Sequence, residues 1–118
     1  MTYKGKVVVI TGGSSGLGLG LAKTYAEQGA KLALIARNVQ KLEEAKSLLL
    51  SINATLQVEV YSLDISDSAA TASVINEIAN TFSGIDVLIN SAGILSEGYF
   101  EDTDTETFKR VIDINFIS

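Results

Sequence analysis

The 118 residues contain no cysteine, no histidine and no proline. The first two absences remove disulfides, zinc fingers, imidazole acid–base catalysis and most transition-metal sites. The inventory leaves room for a carboxylate-only Mg²⁺ or Ca²⁺ site, but no acidic spacing supports one. The lack of proline is unusual and decides little. Long apolar runs are missing too: nothing approaches the ~18 residues of a membrane helix. Met1 to Gly5 is polar, and the apolar run after Lys6 ends at Thr11, too short for a secretory signal with its flanks. A cytoplasmic location is the expectation. Basic residues are scarce, nine against fourteen acidic ones, for a formal charge of −5. That balance argues against a nucleic-acid partner, because phosphates need clustered Lys and Arg. No repeat or low-complexity tract is present.

What is present is an ordinary globular composition, 47% apolar and 19% charged, long enough for one domain with a core. Four short apolar runs alternate with segments of helical period: "KVVVIT" (6–11), "KLALIA" (31–36), "LQVEVYSL" (56–63) and "IDVLIN" (85–90). Three are nearly continuous in apolar residues, as strands buried on both faces are. "LQVEVYSL" alternates, with Gln57, Glu59 and Tyr61 opposite Leu56, Val58 and Val60, and reads as an edge strand. Helices are predicted over 16–28 (Leu17, Leu21, Ala22, Tyr25), 39–52 (Leu42, Ala45, Leu49, Ile52) and 67–83 (Ile75, Ile78, Ala79, Phe82), the first and third stopped by Gly29 and Gly84. Thr103-Asp104-Thr105-Glu106 is a capping box that predicts a helix from 104. The order βαβαβαβα implies an α/β fold with a doubly wound parallel sheet and no internal domain boundary. The fourth strand is expected to present an unpaired apolar edge, open to dimerisation or swapping.

"VVVITGGSSGLGLGLA" leaves the first strand and opens the first helix, with Gly12, Gly16 and Gly18 spaced G-x-x-x-G-x-G. One glycine suits a tight turn out of the strand. Another lets backbone approach a pyrophosphate at the helix N-terminus, and Gly18 allows close helix–sheet packing. Ser14 and Ser15 add hydroxyls at the same mouth. The alternative is a glycine-rich turn without a ligand. No G-K-[ST] follows, so it is not a P-loop.

The end of the second strand reads "IARN". A dinucleotide site for NAD places an acid there, and one for NADP places Arg nearby. Ala36 stands in the acid's place, Arg37 follows, and Lys41 is one helical turn on. NADP is the expected cofactor; the alternative is a solvated arginine. Asp64, in "SLDIS", falls at the carboxyl edge of the sheet, where its side chain could accept from an adenine amino group. Alternatively Asp64, Ser66 or Asp67 caps the next helix.

"TGGSSGLG" (11–18), "LDIS" (63–66), "INSAG" (89–93) and Asn115 beyond them together resemble the short-chain dehydrogenase/reductase family, over the whole chain. Its glycine motif is T-G-x-x-x-G-x-G. "NSAG" matches its N-N-A-G with Ser91 in the second place. "GGSSG", "ARNxxKL" and "GYFEDT…F" are similar to the 3-ketosphinganine reductase branch. The resemblance implies a Rossmann-like fold and an NADP-dependent oxidoreductase acting on a small-molecule carbonyl or alcohol, with assembly into a homo-oligomer expected. It implies that Gly12, Ser14, Ser15, Gly16, Leu17 and Gly18 surround the adenosine and pyrophosphate. It further implies that Arg37 and Lys41 read the 2′-phosphate, that Asp64 and Ile65 hold adenine, and that Asn90, Ala92 and Gly93 line the cofactor. Asn115 would be the family's helix asparagine, supporting a proton relay.

That chemistry also needs a Ser and a Y-x-x-x-K. Tyr3, Tyr25, Tyr61 and Tyr99 are followed at the fourth position by Val7, Gly29, Ile65 and Thr103, so none qualifies. The chain therefore reads as the cofactor half of such an enzyme, not expected to turn over alone. The competing readings are a non-catalytic nucleotide-binding module and a structural fragment. Asn115 lies seven, four and three residues after Phe108, Val111 and Ile112, on the apolar stripe of the predicted last helix. A buried amide there needs partners, either local backbone or groups beyond Ser118.

Overall fold

The computed structural model describes residues 3–14 and 16–90, together with the backbone of Val111–Asp113. Along the chain these form β1 (Val7–Thr11), α1 (Gly16–Glu27), β2 (Lys31–Ala36), α2 (Val39–Ile52), β3 (Val58–Ser62), α3 (Ser68–Phe82), β4 (Val87–Asn90) and β5 (Val111–Asp113). All strand pairs are parallel, in the order β3-β2-β1-β4-β5. The doubly wound α/β architecture follows directly, and the alternating strand sits at the edge, as its pattern predicts.

The two faces of the sheet explain why the central strands read as unbroken apolar runs. Val8, Ile10, Leu32 and Leu34 face one side, where they pack with Ala22 and Ala26 of α1 and Leu42, Ala45 and Leu49 of α2. Val7, Val9, Ala33, Ile35 and Leu88 face the other, against Ile75, Ile78 and Phe82 of α3. A period of two thus alternates between two cores, and both alternations are apolar. Because α1 and α2 lie on one face and α3 on the other, the chain reverses direction across the sheet between β1 and β4. That is the switch point at which such sheets open a crevice.

Helix boundaries have identifiable causes. Asn38 caps α2, its side-chain oxygen accepting from the Lys41 N–H, and Asp67 caps α3 by accepting from the Ala70 N–H. At the end of α1, the Ala30 N–H donates to the Tyr25 carbonyl and the Gly29 N–H to the Ala26 carbonyl, with Gly29 at φ +83°. This closes the carbonyls that the last turn would leave open. Ser83, at φ 62°, leads α3 out of its last turn just before Gly84. At the amino edge of the sheet Asp86 spans β1 and β4: its carboxylate accepts from the Val7 N–H at 2.8 Å.

Three expectations are corrected. First, Val111–Asp113 is strand, parallel to β4, rather than the end of a helix. Val111 and Ile112 are β-branched, and the hydrogen-bonding edge of β4 supplies what a period of 3.6 cannot foresee. Second, β4 consequently has β5 as a neighbour and is not an open edge. Third, Leu17 is exposed rather than inward: the fully buried residues of α1 are Gly18, Ala22 and Ala26, with Leu21 and Tyr25 half-buried against the same core. Small residues at that spacing let the helix lie close on the sheet. Leu17 and Ile52 are exposed, while Tyr25 packs edge-on against Tyr3 with ring centroids 4.9 Å apart. The capping box at Thr103 and the placement of Asn115 fall outside the described residues.

Candidate functional site at the carboxyl edge of the sheet

Since the strands are parallel and in register, their carboxyl ends form one edge: Thr11 pairs with Ile35 on one side and Asn90 on the other, and Ile35 pairs with Tyr61. The turns that follow these strands hold the sequence-predicted residues.

After β1, the chain leaves the sheet at Gly12, whose φ of 72° lies in the left-handed region. Its N–H still donates to the Ile35 carbonyl at 2.7 Å, so the ladder ends one residue before the turn. Gly13 packs under the turn. A Cβ there would stand 2.9 Å from Leu34 Cδ2 and 3.2 Å from the Ile10 carbonyl oxygen. Gly16 opens α1 at φ +59°, and among the described residues a Cβ there would meet nothing within 4 Å. The mouth of α1 is therefore open to a ligand while its floor is closed, and Gly18 is buried against the sheet. Helix N-terminal amides over such an open turn suit a phosphate. Ser14 is half-buried beside them and Leu17 is exposed on the first turn.

After β2, Arg37 and Lys41 are both exposed, separated by the Asn38 cap. The Arg37 carbonyl accepts from the Ser62 hydroxyl at 2.8 Å. After β3, Asp64 accepts from the Ser66 N–H at 3.0 Å and from its hydroxyl at 2.7 Å. Of the three candidate caps, Asp67 does the capping and Asp64 closes a turn with Ser66. The Ser66 hydroxyl, then its amide, hold the Asp64 carboxyl below the ordinary carboxylate range, with the Arg37 charge adding a lesser pull. Ile65 is buried, and its carbonyl accepts from the Thr71 hydroxyl at 3.3 Å.

At the end of β4, Asn90 is fully buried, and its Oδ1 accepts from the Thr11 hydroxyl at 2.9 Å. The edge thus brings together Gly12, Ser14, Gly16, Leu17, Gly18, Arg37, Lys41, Asp64, Ile65 and Asn90. Ser15, Ala92, Gly93 and Asn115 lie outside the described residues. Thr11, Gly13 and Ser62 were not among the expected site residues. Thr11 had a signal, the first letter of T-G-x-x-x-G-x-G. Gly13 stands within the quoted glycine-rich stretch, though its closest contact, Leu34, is distant in sequence; Ser62 had no signal, because Arg37 lies 25 residues away. A further concavity lies at the opposite, amino edge, among Lys4, Gly29, Lys31 and Asn53, and takes in none of these residues.

The family model described as short chain dehydrogenase matches residues 6–118. Among curated relatives, dehydrogenase/reductase SDR family member 7B of Mus musculus is 42% identical over 112 residues, covering 93% of this chain and 35% of its own length. The 3-ketodihydrosphingosine reductase of Bos taurus is 40% identical over 120 residues, covering 99% and 36%. The chain therefore spans about a third of the length of these relatives. Among solved structures, L-sorbose reductase from Gluconobacter frateurii, complexed with NADPH and L-sorbose, aligns with a TM-score of 0.72 at 35% identity, over 88% of this chain and 39% of that one. An NAD⁺-bound xylitol dehydrogenase aligns with a TM-score of 0.71 at 27% identity, over 75% and 34%.

Proposed function

The chain belongs to the short-chain dehydrogenase family, and from that premise we propose that residues 1–118 are the cofactor-binding part of an NADP(H)-dependent oxidoreductase. Membership makes it an oxidoreductase whose structural neighbours bind either NAD⁺ or NADPH. The choice between the two rests on the turn leaving β2. Ala36 offers no carboxylate to a ribose 2′-hydroxyl, while Arg37 on that turn and Lys41 in the first turn of α2 stand exposed. A guanidinium presents paired donors to phosphate, and a lysine adds a point charge.

The remaining residues fit a dinucleotide laid across the crevice between β1 and β4. The open mouth at Gly16 and the left-handed turn at Gly12 suit a pyrophosphate near Ser14, Ser15, Leu17 and Gly18. Asp64 and Ile65 stand at the adenine end. Asn90, with Ala92 and Gly93 after it, lines the nicotinamide side. The bound nicotinamide supplies hydride exchange with a carbonyl or alcohol carbon. The chain's own residues bind and orient the cofactor, and Asn115 supports the proton relay. The carbonyl compounds named for the two reductases, 3-ketodihydrosphingosine and L-sorbose, are the first to assay with the full-length protein.

The test is parallel titration with NADPH and NADH. Tighter NADPH binding, lost in Arg37→Ala, is expected; preference for NADH, or indifference to that substitution, overturns the NADP reading. The second reading, a module that binds nucleotide without chemistry, draws on the lack of any Y-x-x-x-K among the 118 residues. It applies to this stretch taken alone: purified residues 1–118 should bind cofactor without turnover, and ordinary turnover would show that the catalytic groups are assigned wrongly.

A further inference from the structure

We propose that Ser62 is a positioning residue for cofactor choice: by holding the Arg37 carbonyl, it sets how strongly the site prefers the 2′-phosphorylated dinucleotide. The inference rests on the NADP reading above. Backbone pairing between β2 and β3 runs out at this point. Ala36 and Ser62 are register partners, and the Leu63 N–H donates to the Ala36 carbonyl at 2.9 Å. One residue beyond β2, the bond to the Arg37 carbonyl comes from a side chain, the Ser62 hydroxyl at 2.8 Å. Ser62 therefore extends the ladder by one rung, onto the residue whose side chain would meet the phosphate.

The other end of the same turn is fixed by Asn38, whose Oδ1 accepts from the Lys41 N–H at 3.0 Å. Residues 36–41 are thus pinned at the Ala36 carbonyl, the Arg37 carbonyl and the Asn38 side chain, with both cations between or beside the pins. The Arg37 side chain is long and exposed, so only its root can be held. Fixing the root narrows the arc over which the guanidinium searches, and paired recognition of a phosphate depends on that placement. Ser62 is itself exposed, so its hydroxyl contributes little to global stability. Its effect should appear where the position of Arg37 matters, in NADPH affinity and not in NADH affinity.

The experiment uses the full-length protein and calorimetric titration with NADPH and NADH in parallel, for the wild type, Ser62→Ala, Ser62→Thr, Arg37→Ala and the double variant Ser62→Ala/Arg37→Ala. Ser62→Ala should weaken NADPH by about two- to tenfold, the span of one net hydrogen bond, and leave NADH unchanged. Ser62→Thr should restore NADPH binding, and the double variant should be no weaker than Arg37→Ala. Equal weakening of both cofactors, or of neither, overturns the role of Ser62. If Arg37→Ala abolishes the preference while Ser62→Ala keeps it, the Ser62 inference alone falls. If Arg37→Ala leaves the preference intact, the NADP reading falls and this inference with it.

Discussion

The Thr11 hydroxyl donates to Asn90 Oδ1 at 2.9 Å, between residues that are register partners on β1 and β4 and that are both fully buried. The bond ties the carboxyl end of β1, where the glycine-rich turn begins, to the carboxyl end of β4 on the other side of the crevice. Thr11→Val keeps the shape and removes this donor from a buried amide. It should destabilise the protein by about 1–3 kcal/mol, the usual cost of withdrawing a partner from a buried polar group. Urea unfolding measures it, and Thr11→Ser, which keeps the hydroxyl, should be more stable than Thr11→Val; a Val variant as stable as the wild type would show that the bond contributes nothing.

Two glycines close in sequence should respond in opposite directions to alanine. At Gly13 a Cβ would crowd the Ile10 carbonyl oxygen and the buried Leu34, and overpacking of this kind costs about 1–3 kcal/mol. At Gly20, inside α1 and exposed, a Cβ meets nothing within 4 Å. Gly20→Ala should stabilise by about 0.5–1 kcal/mol through helix propensity. Thermal melts of the two variants, side by side, check both signs.

The cap of α3 provides a third expectation. Asp67→Ala removes the acceptor of the Ala70 N–H and should cost about 1 kcal/mol, whereas Asp67→Asn should cost little. Denaturant midpoints decide, and equal losses in the two variants would assign the effect to charge rather than capping.

Asp64 should titrate below the ordinary carboxylate range, with Ser66→Ala moving it back up, since the Ser66 hydroxyl is the largest cause of the shift. A depressed carboxyl stabilises the fold above its unfolded pKa, and that contribution is lost as pH falls through the lower folded value. The Asp64–Ser66 turn should therefore persist at neutral pH and open only in acid. Carboxyl chemical shifts in an NMR pH series follow it; an Asp64 that titrates normally in the wild type contradicts the bond.

Much of the edge that carries the site was legible in the sequence, because turn chemistry is local. Gly12 at positive φ, Asp67 as a cap and Gly29 as a stop all act within a few residues of themselves. The reading failed where a neighbour in space outvoted the local pattern. Val111 and Ile112 fit a helical stripe in sequence, yet Val111–Asp113 lies as a strand along β4. Leu17 looks like part of the core face of α1, but it is exposed, and the close approach of that helix selects Gly18, Ala22 and Ala26 as its fully buried positions.

The sequence by itself determined the element order as far as β4, the identity of the edge strand and the residues delivered to the carboxyl ends of the first strands. Periodicity and capping are properties of short windows, and parallel strands joined by helices leave few ways to connect. Only the tertiary structure decided which of those residues touch. Thr11 and Asn90 are 79 positions apart, and Ser62 and Arg37 are 25 apart. Contacts at such separations exist only once strand register is set, because register alone brings distant side chains within hydrogen-bond reach.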